Sequence, residues 1–168
     1  MKTKPTGGRI VAVCTSKKKG ISKVPVEEAV FEANCGLSGD AHADRNSHRQ
    51  VSLLATESIE KMVKLGLKVG PGAFAENLTV EGLDLMHMPI GTRMSAGDGV
   101  MLELTQIGKV CHTKCAIYKQ VGQCVMPEEG IFARVLRGGV VKPGDMIQVI
   151  SIDEDQSQGG RPDSRVQA

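Results

Sequence analysis

Aromatic side chains are nearly missing from this chain of 168 residues, which has no Trp, one Tyr and three Phe. With so few rings there is no stacking platform for the bases of a single-stranded nucleic acid. The core must instead be assembled from Val, Ile, Leu, Met and Ala. Long apolar runs are lacking too, and none approaches the roughly 20 residues that span a bilayer. The apolar run near the N-terminus, in MKTKPTGGRIVAVC, is too short for a signal peptide, so a cytoplasmic protein is expected. Nor is there an excess of one charge. The formal net charge of +2 does not by itself imply a nucleic-acid or membrane surface. Lys17-Lys18-Lys19 is the nearest thing to a basic run, and it reads first as a solvated turn and second as a phosphate-steering group. No Walker loop and no GxGxxG after a strand is present, which leaves nucleotide hydrolysis and Rossmann chemistry without support.

What is present suits one soluble domain with a core of its own, at 40% hydrophobic and 24% charged residues. Short β-rich segments recur at Arg9 to Thr15, Glu27 to Asn34, Gln50 to Ala55, Leu78 to Glu81, Ile131 to Leu136 and Met146 to Ile152. Leu78 and Val80 alternate with Thr79 and Glu81, as in a half-buried strand. Turn signals separate the segments, among them GLSGD from Gly36, Pro71-Gly72, Gly97-Asp98-Gly99, Gly138-Gly139 and Lys142-Pro143-Gly144-Asp145. One segment is helical, Thr56 to Leu65. Thr56 is the expected cap, Glu57 lies in the first turn, and Ile59, Met62 and Val63 form an apolar face. Gly66 then ends it. Many short strands with one clear helix predict a mostly-β, barrel-like domain with one or a few short helices, over residues 8–152. Residues 1–7 read as a flexible lead, and 153–168 as a polar, disordered tail.

The five cysteines, an odd number, argue for free thiols, metal ligands or sulfur chemistry more than for a disulfide framework. Cys14 sits in a strand-like run and reads as a small core residue. Three others lie between Ile107 and Gly139: Cys111, Cys115 and Cys124, with His112 between the first two. Cys111 and Cys115 make one C-x3-C pair, but Cys124 has no second cysteine at matching distance, so a structural zinc site is only weakly signalled. The alternatives are three buried, inert thiols, or a reactive Cys124 in the turn-rich GQCVMPEEG. Lys114, Lys119 and Arg134 are near enough in sequence to favour its thiolate. A second polar group gathers His42, His48 and Arg49. A third is Glu76-Asn77, where Asn77 can satisfy a loop backbone as well as a ligand and Glu76 can be an ordinary surface charge.

The order GLSGDAH, RQVSLL, PGAFAENLT, CHTKCAIYKQVGQCVMPEEGIFARVLRGG and KPGD closely resembles the MOSC domain family, named for the C-terminal domain of molybdenum cofactor sulfurase. It looks like the small stand-alone bacterial form. The resemblance implies a β-rich barrel whose functional thiol, by position in GQCVMPEEG, is Cys124, carrying sulfur or ligating molybdenum of the pterin cofactor. It also implies a cofactor site, bound stably or in passing, whose phosphate and pterin would meet His42, Arg49 and Asn77. Glu76, Cys111, His112, Cys115 and Arg134 are the further candidates. One departure stands out. The family's PGxFGEN turn usually has a second Gly where this chain has Ala75, which a positive φ would strain. The implied partners are a sulfur-donating cysteine desulfurase and proteins that make or accept the molybdenum cofactor, and the family carries an association with pyridoxal phosphate binding. Two further readings remain: a molybdenum-dependent reductase of N-hydroxylated compounds fed by a separate electron donor, and a zinc-stabilised scaffold with no enzymatic role. No iron–sulfur spacing is present to supply the electrons. Oligomeric state is open.

Overall fold

The computed structural model describes residues 6–108 and 125–151. Eleven strands dominate them: β1 (Gly7–Thr15), β2 (Val24–Val26), β3 (Ala29–Glu32), β4 (Gly36–Leu37), β5 (Val51–Ala55), β6 (Leu78–Glu81), β7 (Arg93–Ala96), β8 (Val100–Ile107), β9 (Ile131–Arg137), β10 (Gly139–Val141) and β11 (Met146–Ser151). The α-helices among them are α1 (Thr56–Lys64) and a single turn, α2 (Met126–Glu129), and Leu85–His87 forms a short 3-10 turn. Seven strands run β11-β7-β8-β9-β5-β6-β1, and β1 then pairs back onto β11 through Gly7 to Arg9. The sheet is thereby closed, which removes the unpaired edges that a flat sheet would present. β1 serves two partners along one edge, since its far end, Val13 to Thr15, takes β2. A smaller sheet, β10-β3-β4, stands beside the barrel. The mostly-β barrel expected from the turn spacing is the fold.

All barrel pairings are antiparallel except β5–β6, which is parallel and is bridged by α1. A parallel pair needs such a crossover because its strands start at the same end. Alternation sorts the two strands that matter most here. On β5, Val51 and Leu53 point into the barrel core with Ile131, Ala133 and Val135 of β9. Their outward neighbours, Leu54 and Phe132, join Ile59, Met62, Leu67, Phe74 and Val125 in a second apolar cluster beneath α1. At roughly 25 cal/mol per Å² of apolar surface buried, that second cluster is what holds α1 on the barrel wall.

The helix departs from expectation at its start and on its face. The cap position is Ala55, still extended as the last residue of β5, and no side chain caps the helix. Thr56 is already helical, and its hydroxyl is buried without a hydrogen-bond partner. The chain enters α1 straight from a strand, so no loop residue is available to cap it. Val63 is 47% exposed, and Ser58 occupies the buried face with Ile59 and Met62. Gly66 does end the helix, with φ +103°. Its N–H reaches the Val63 carbonyl while that of Leu67 reaches Met62, a Schellman arrangement. Thr79 also departs, being fully buried rather than outward-facing.

Replacing Thr56 with Val keeps the shape and removes the unsatisfied hydroxyl. Thr56→Val is expected to raise stability by about 1 kcal/mol, read as an increased urea midpoint at unchanged m-value.

Candidate binding cleft

A cleft of about 210 Å³ opens where the β4–β5 loop, the loop before β6 and the outer face of β9 meet. His42, Asp44, Ser47 and Arg49 come from the first of these, Ala75 from the second and Phe132 from β9. Ser52 contributes from β5 and Lys19 from the turn after β1. The Arg49 guanidinium lies 5.8 Å from the centre of the Phe132 ring, within cation–π range. Three basic side chains, two hydroxyls and an aromatic face oppose a single carboxylate, Asp44. The lining suits an anion attached to something flat and apolar.

Behind the cleft lies a fully buried ion pair. Lys23 and Asp40 have no exposed side-chain surface, and their charged atoms are 2.9 Å apart. The Lys23 ammonium also reaches Ser16 Oγ at 3.1 Å and His42 Nδ1 at 3.0 Å. Asp40 Oδ1 accepts the Ser16 backbone N–H, and Oδ2 accepts that of His42. Burial alone would raise the Asp40 pKa. The hydrogen bonds from Lys23, His42 and Ser16 outweigh it and hold the carboxyl below its usual value. His42 is thus seated by its own backbone on one partner and by its ring on the other.

Glu76 and Asn77 sit directly beneath the cleft loop, with no exposed surface. Glu76 is therefore no surface charge. It accepts hydrogen bonds from the Gly72 N–H (2.8 Å), the Phe74 N–H (3.2 Å) and the Thr79 hydroxyl (2.7 Å), and so fixes the turn that presents Ala75. This partnership is why Thr79 turns inward. Burial pushes the Glu76 carboxyl above its ordinary pKa despite those bonds. Asn77 bridges two strands, accepting the Ser52 N–H and donating to the Cys14 carbonyl. Cys14 is buried, and burial, with Glu76 nearby, pushes its thiol up to about 12. That thiol is inert, as its position in the first strand suggested. Ala75 itself has φ +65°, the left-handed value that the missing glycine would have taken without strain.

Of the expected site residues, the structure brings His42 and Arg49 together in the cleft and puts Glu76 and Asn77 in its foundation. His48 faces away toward Gln106, with Nε2 at 2.6 Å from Oε1. Arg134 is half-buried on β9, across from Glu103 and outside the cleft lining. Cys111, His112, Lys114, Cys115, Lys119 and Cys124 lie outside the described residues. Among the described residues no group of three or more His, Cys, Asp or Glu is placed to hold a metal. No helix among them is long and apolar enough to cross a membrane. Sequence reading passed over Lys23, Asp40, Ser47, Ser52 and Phe132. The Gly-Asp of GLSGDAH was the available signal for Asp40, and Lys19 had been read first as a solvated turn.

A family model described as MOSC domain matches residues 38–148. Among solved structures, the YUAD protein from Bacillus subtilis superposes with a TM-score of 0.72 at 19% identity, covering 85% of this chain and 95% of that one. YiiM from Geobacillus stearothermophilus gives 0.66 at 23% identity, over 86% and 75% of the two chains. YiiM from Escherichia coli gives 0.64 at 19%, over 88% and 71%. At these identities the likeness concerns the fold. No curated protein matches the sequence.

Two outcomes are expected for this region. Ala75→Gly relieves the left-handed strain at the cost of a more flexible unfolded chain, for a net gain of roughly 0.5–1 kcal/mol in chemical denaturation. For Asp40 the folded pKa lies below the ordinary 3.8, so its contribution is complete above that value and is lost as pH falls through the folded pKa. Glu76 acts in the opposite sense and in a separate window, its contribution declining as pH rises from 4.5 toward its raised folded pKa. Denaturation midpoints measured across acid pH are expected to fall below 3.8 in the wild type. In Asp40→Asn that acid limb should flatten, on a lower plateau at neutral pH.

Proposed function

Because the chain belongs to the MOSC domain family, we propose that it binds or passes on the pterin molybdenum cofactor, with Cys124 as its sulfur-handling or metal-ligating thiol. The family as a whole is associated with that cofactor. What supports the reading in this chain is the cleft, where Lys19, His42 and Arg49 surround an aromatic wall. The donor set fits the cofactor's two recognisable parts. Cations and N–H donors suit its phosphate, and the Phe132 face with Arg49 above it suits a flat ring. When bound, the cofactor supplies a soft metal for which a thiolate is a matched ligand.

The residues of the chain have separable tasks in this reading. Arg49 and Lys19 neutralise the phosphate, His42 stands beside them in the lining, and Ser47 offers a hydroxyl at the wall, while the Ser52 hydroxyl is engaged with Ala75 and Asn77. Glu76 and Asn77 hold the loop and strands on which the others stand. Val125, the residue that follows Cys124 in sequence, is buried in the same apolar cluster as Phe132. A sulfur carrier needs a thiol that can hold a persulfide and hand it on, and Cys124 is the candidate. A cysteine desulfurase as donor, and cofactor-making or cofactor-accepting proteins as recipients, are the partners this reading requires.

The test is elemental analysis of protein purified from a molybdate-supplied host, comparing wild type with Cys124→Ser and Arg49→Ala. Wild type is expected to retain molybdenum. Cys124→Ser should lose it, and Arg49→Ala should retain about tenfold less, the effect of one charge-assisted contact of about 1.4 kcal/mol. Arg49 is exposed, so its substitution should leave the melting temperature unchanged. Stoichiometric zinc with no molybdenum in the wild type, and no persulfide on Cys124, would overturn the reading in favour of a zinc-stabilised scaffold.

A further inference from the structure

We propose that Glu129 is a positioning residue, tying α2 to α1 so that the chain next to Cys124 is fixed against the cleft wall. The proposal rests on the reading of Cys124 as the working thiol. Both carboxylate oxygens of Glu129 are committed to α1. Oε1 accepts the Ser58 hydroxyl at 2.5 Å, and Oε2 accepts the Lys61 ammonium at 2.9 Å. The Glu129 backbone N–H donates to the Val125 carbonyl at 2.7 Å, and that of Glu128 donates to the same carbonyl at 3.2 Å. The Val125 side chain is buried with Ile59 and Met62 of α1 and with Phe132, the aromatic wall of the cleft. Val125 is therefore held at its carbonyl and at its side chain, and one peptide bond joins it to Cys124. The Gly108 N–H also reaches the Gly130 carbonyl at 2.6 Å, so the end of β8 and the start of β9 are fastened together at the same place.

Stability alone does not account for the arrangement. Ser58 is 3% exposed on a helix face otherwise given to Ile59 and Met62, where an apolar residue would seat α1 at least as well. The Lys61 side chain is 60% exposed, and an ion pair so open to water contributes little. What the contacts do specify is the place of α2. Lys61 is the one cation lining the hollow around Glu129, and Glu57 and Asp84 are the other charged groups there. On the far side of Phe132 the cleft holds Lys19 and Arg49, cations that favour a thiolate over a thiol. A thiol whose neighbouring chain is fixed at that wall gains their influence, and one released from it does not.

The experiment is alkylation by iodoacetamide as a function of pH, read at each cysteine by mass spectrometry of peptides. Buried Cys14 reports unfolding in the same spectra. In the wild type the Cys124 midpoint is expected below the ordinary thiol value of about 8.5. In Glu129→Ala it should rise to about 8.5, with alkylation at neutral pH about fivefold slower. Glu129→Gln keeps an acceptor for Ser58 and should behave as the wild type. Ser58→Ala should behave as Glu129→Ala, and it carries the test if alkylation of Cys14 shows that Glu129→Ala does not fold. A midpoint that is low in the wild type and unmoved in the alanine variants overturns the positioning role while the role of Cys124 stands. A midpoint that falls in Glu129→Ala and Glu129→Gln alike shows Glu129 acting through its charge, and overturns the positioning role too. A wild-type midpoint at the ordinary value, with no molybdenum retained, overturns the reading of Cys124 and the proposal with it.

Discussion

The side chain of Asn77 is the brace on which the cleft side of the barrel depends. It stands one residue before β6, where the strand ladder has not yet begun, and its amide does the work of a missing peptide group. Its oxygen takes the Ser52 N–H from β5 and its nitrogen reaches the Cys14 carbonyl on β1. Its own backbone answers the same two strands, donating to the Ser52 carbonyl and accepting from the Cys14 N–H. Four bonds from one residue thus join the three neighbouring strands at the end that carries the cleft. Left unmade, each buried polar group would cost on the order of 1–3 kcal/mol, so the wall has little freedom to rearrange there.

From that brace a continuous polar path leads outward. Glu76 holds Gly72, the Gly72 carbonyl accepts the Lys23 N–H, and Lys23 joins Asp40 and His42. A side chain added at Gly72 would come within 2.3 Å of the Lys23 carbonyl, so the approach of these two loops admits no Cβ. The two buried carboxylates are held in contrasting ways. Asp40 keeps its charge through a cation and two backbone donors. Glu76 has only neutral donors, and burial prevails. Buried ion pairs contribute little net stability compared with well-packed apolar residues, and the Lys23–Asp40 pair is better understood as specifying a geometry.

Strand positions, the turns between them and the barrel they form were legible because alternation and glycine placement are local signals. The errors came where a local rule met a tertiary demand. Thr56 has a capping side chain, but a strand running straight into the helix puts it one position too late. Thr79 alternates correctly with its neighbours, yet a buried carboxylate three residues earlier claims its hydroxyl. Ala75 was readable in outline, since a turn wanting glycine and given alanine predicts the strain that is found. In the site, His42 and Arg49 were legible as polar residues in a motif. Lys23 was not, because it is 17 residues from Asp40 and a lone lysine in a polar loop reads as solvated. Phe132 was hidden in an apolar strand whose outward face cannot be told from its inward one by composition.

Phe132 belongs to two structures at once, the apolar cluster that seats α1 and the wall of the cleft. Its ring cannot be exchanged to reshape the cleft without loosening the helix. Diversification among related barrels would therefore proceed through residues with no such second duty, the exposed Lys19 and Arg49 at the rim. The chemistry a descendant can recognise would drift in charge well before it drifts in shape.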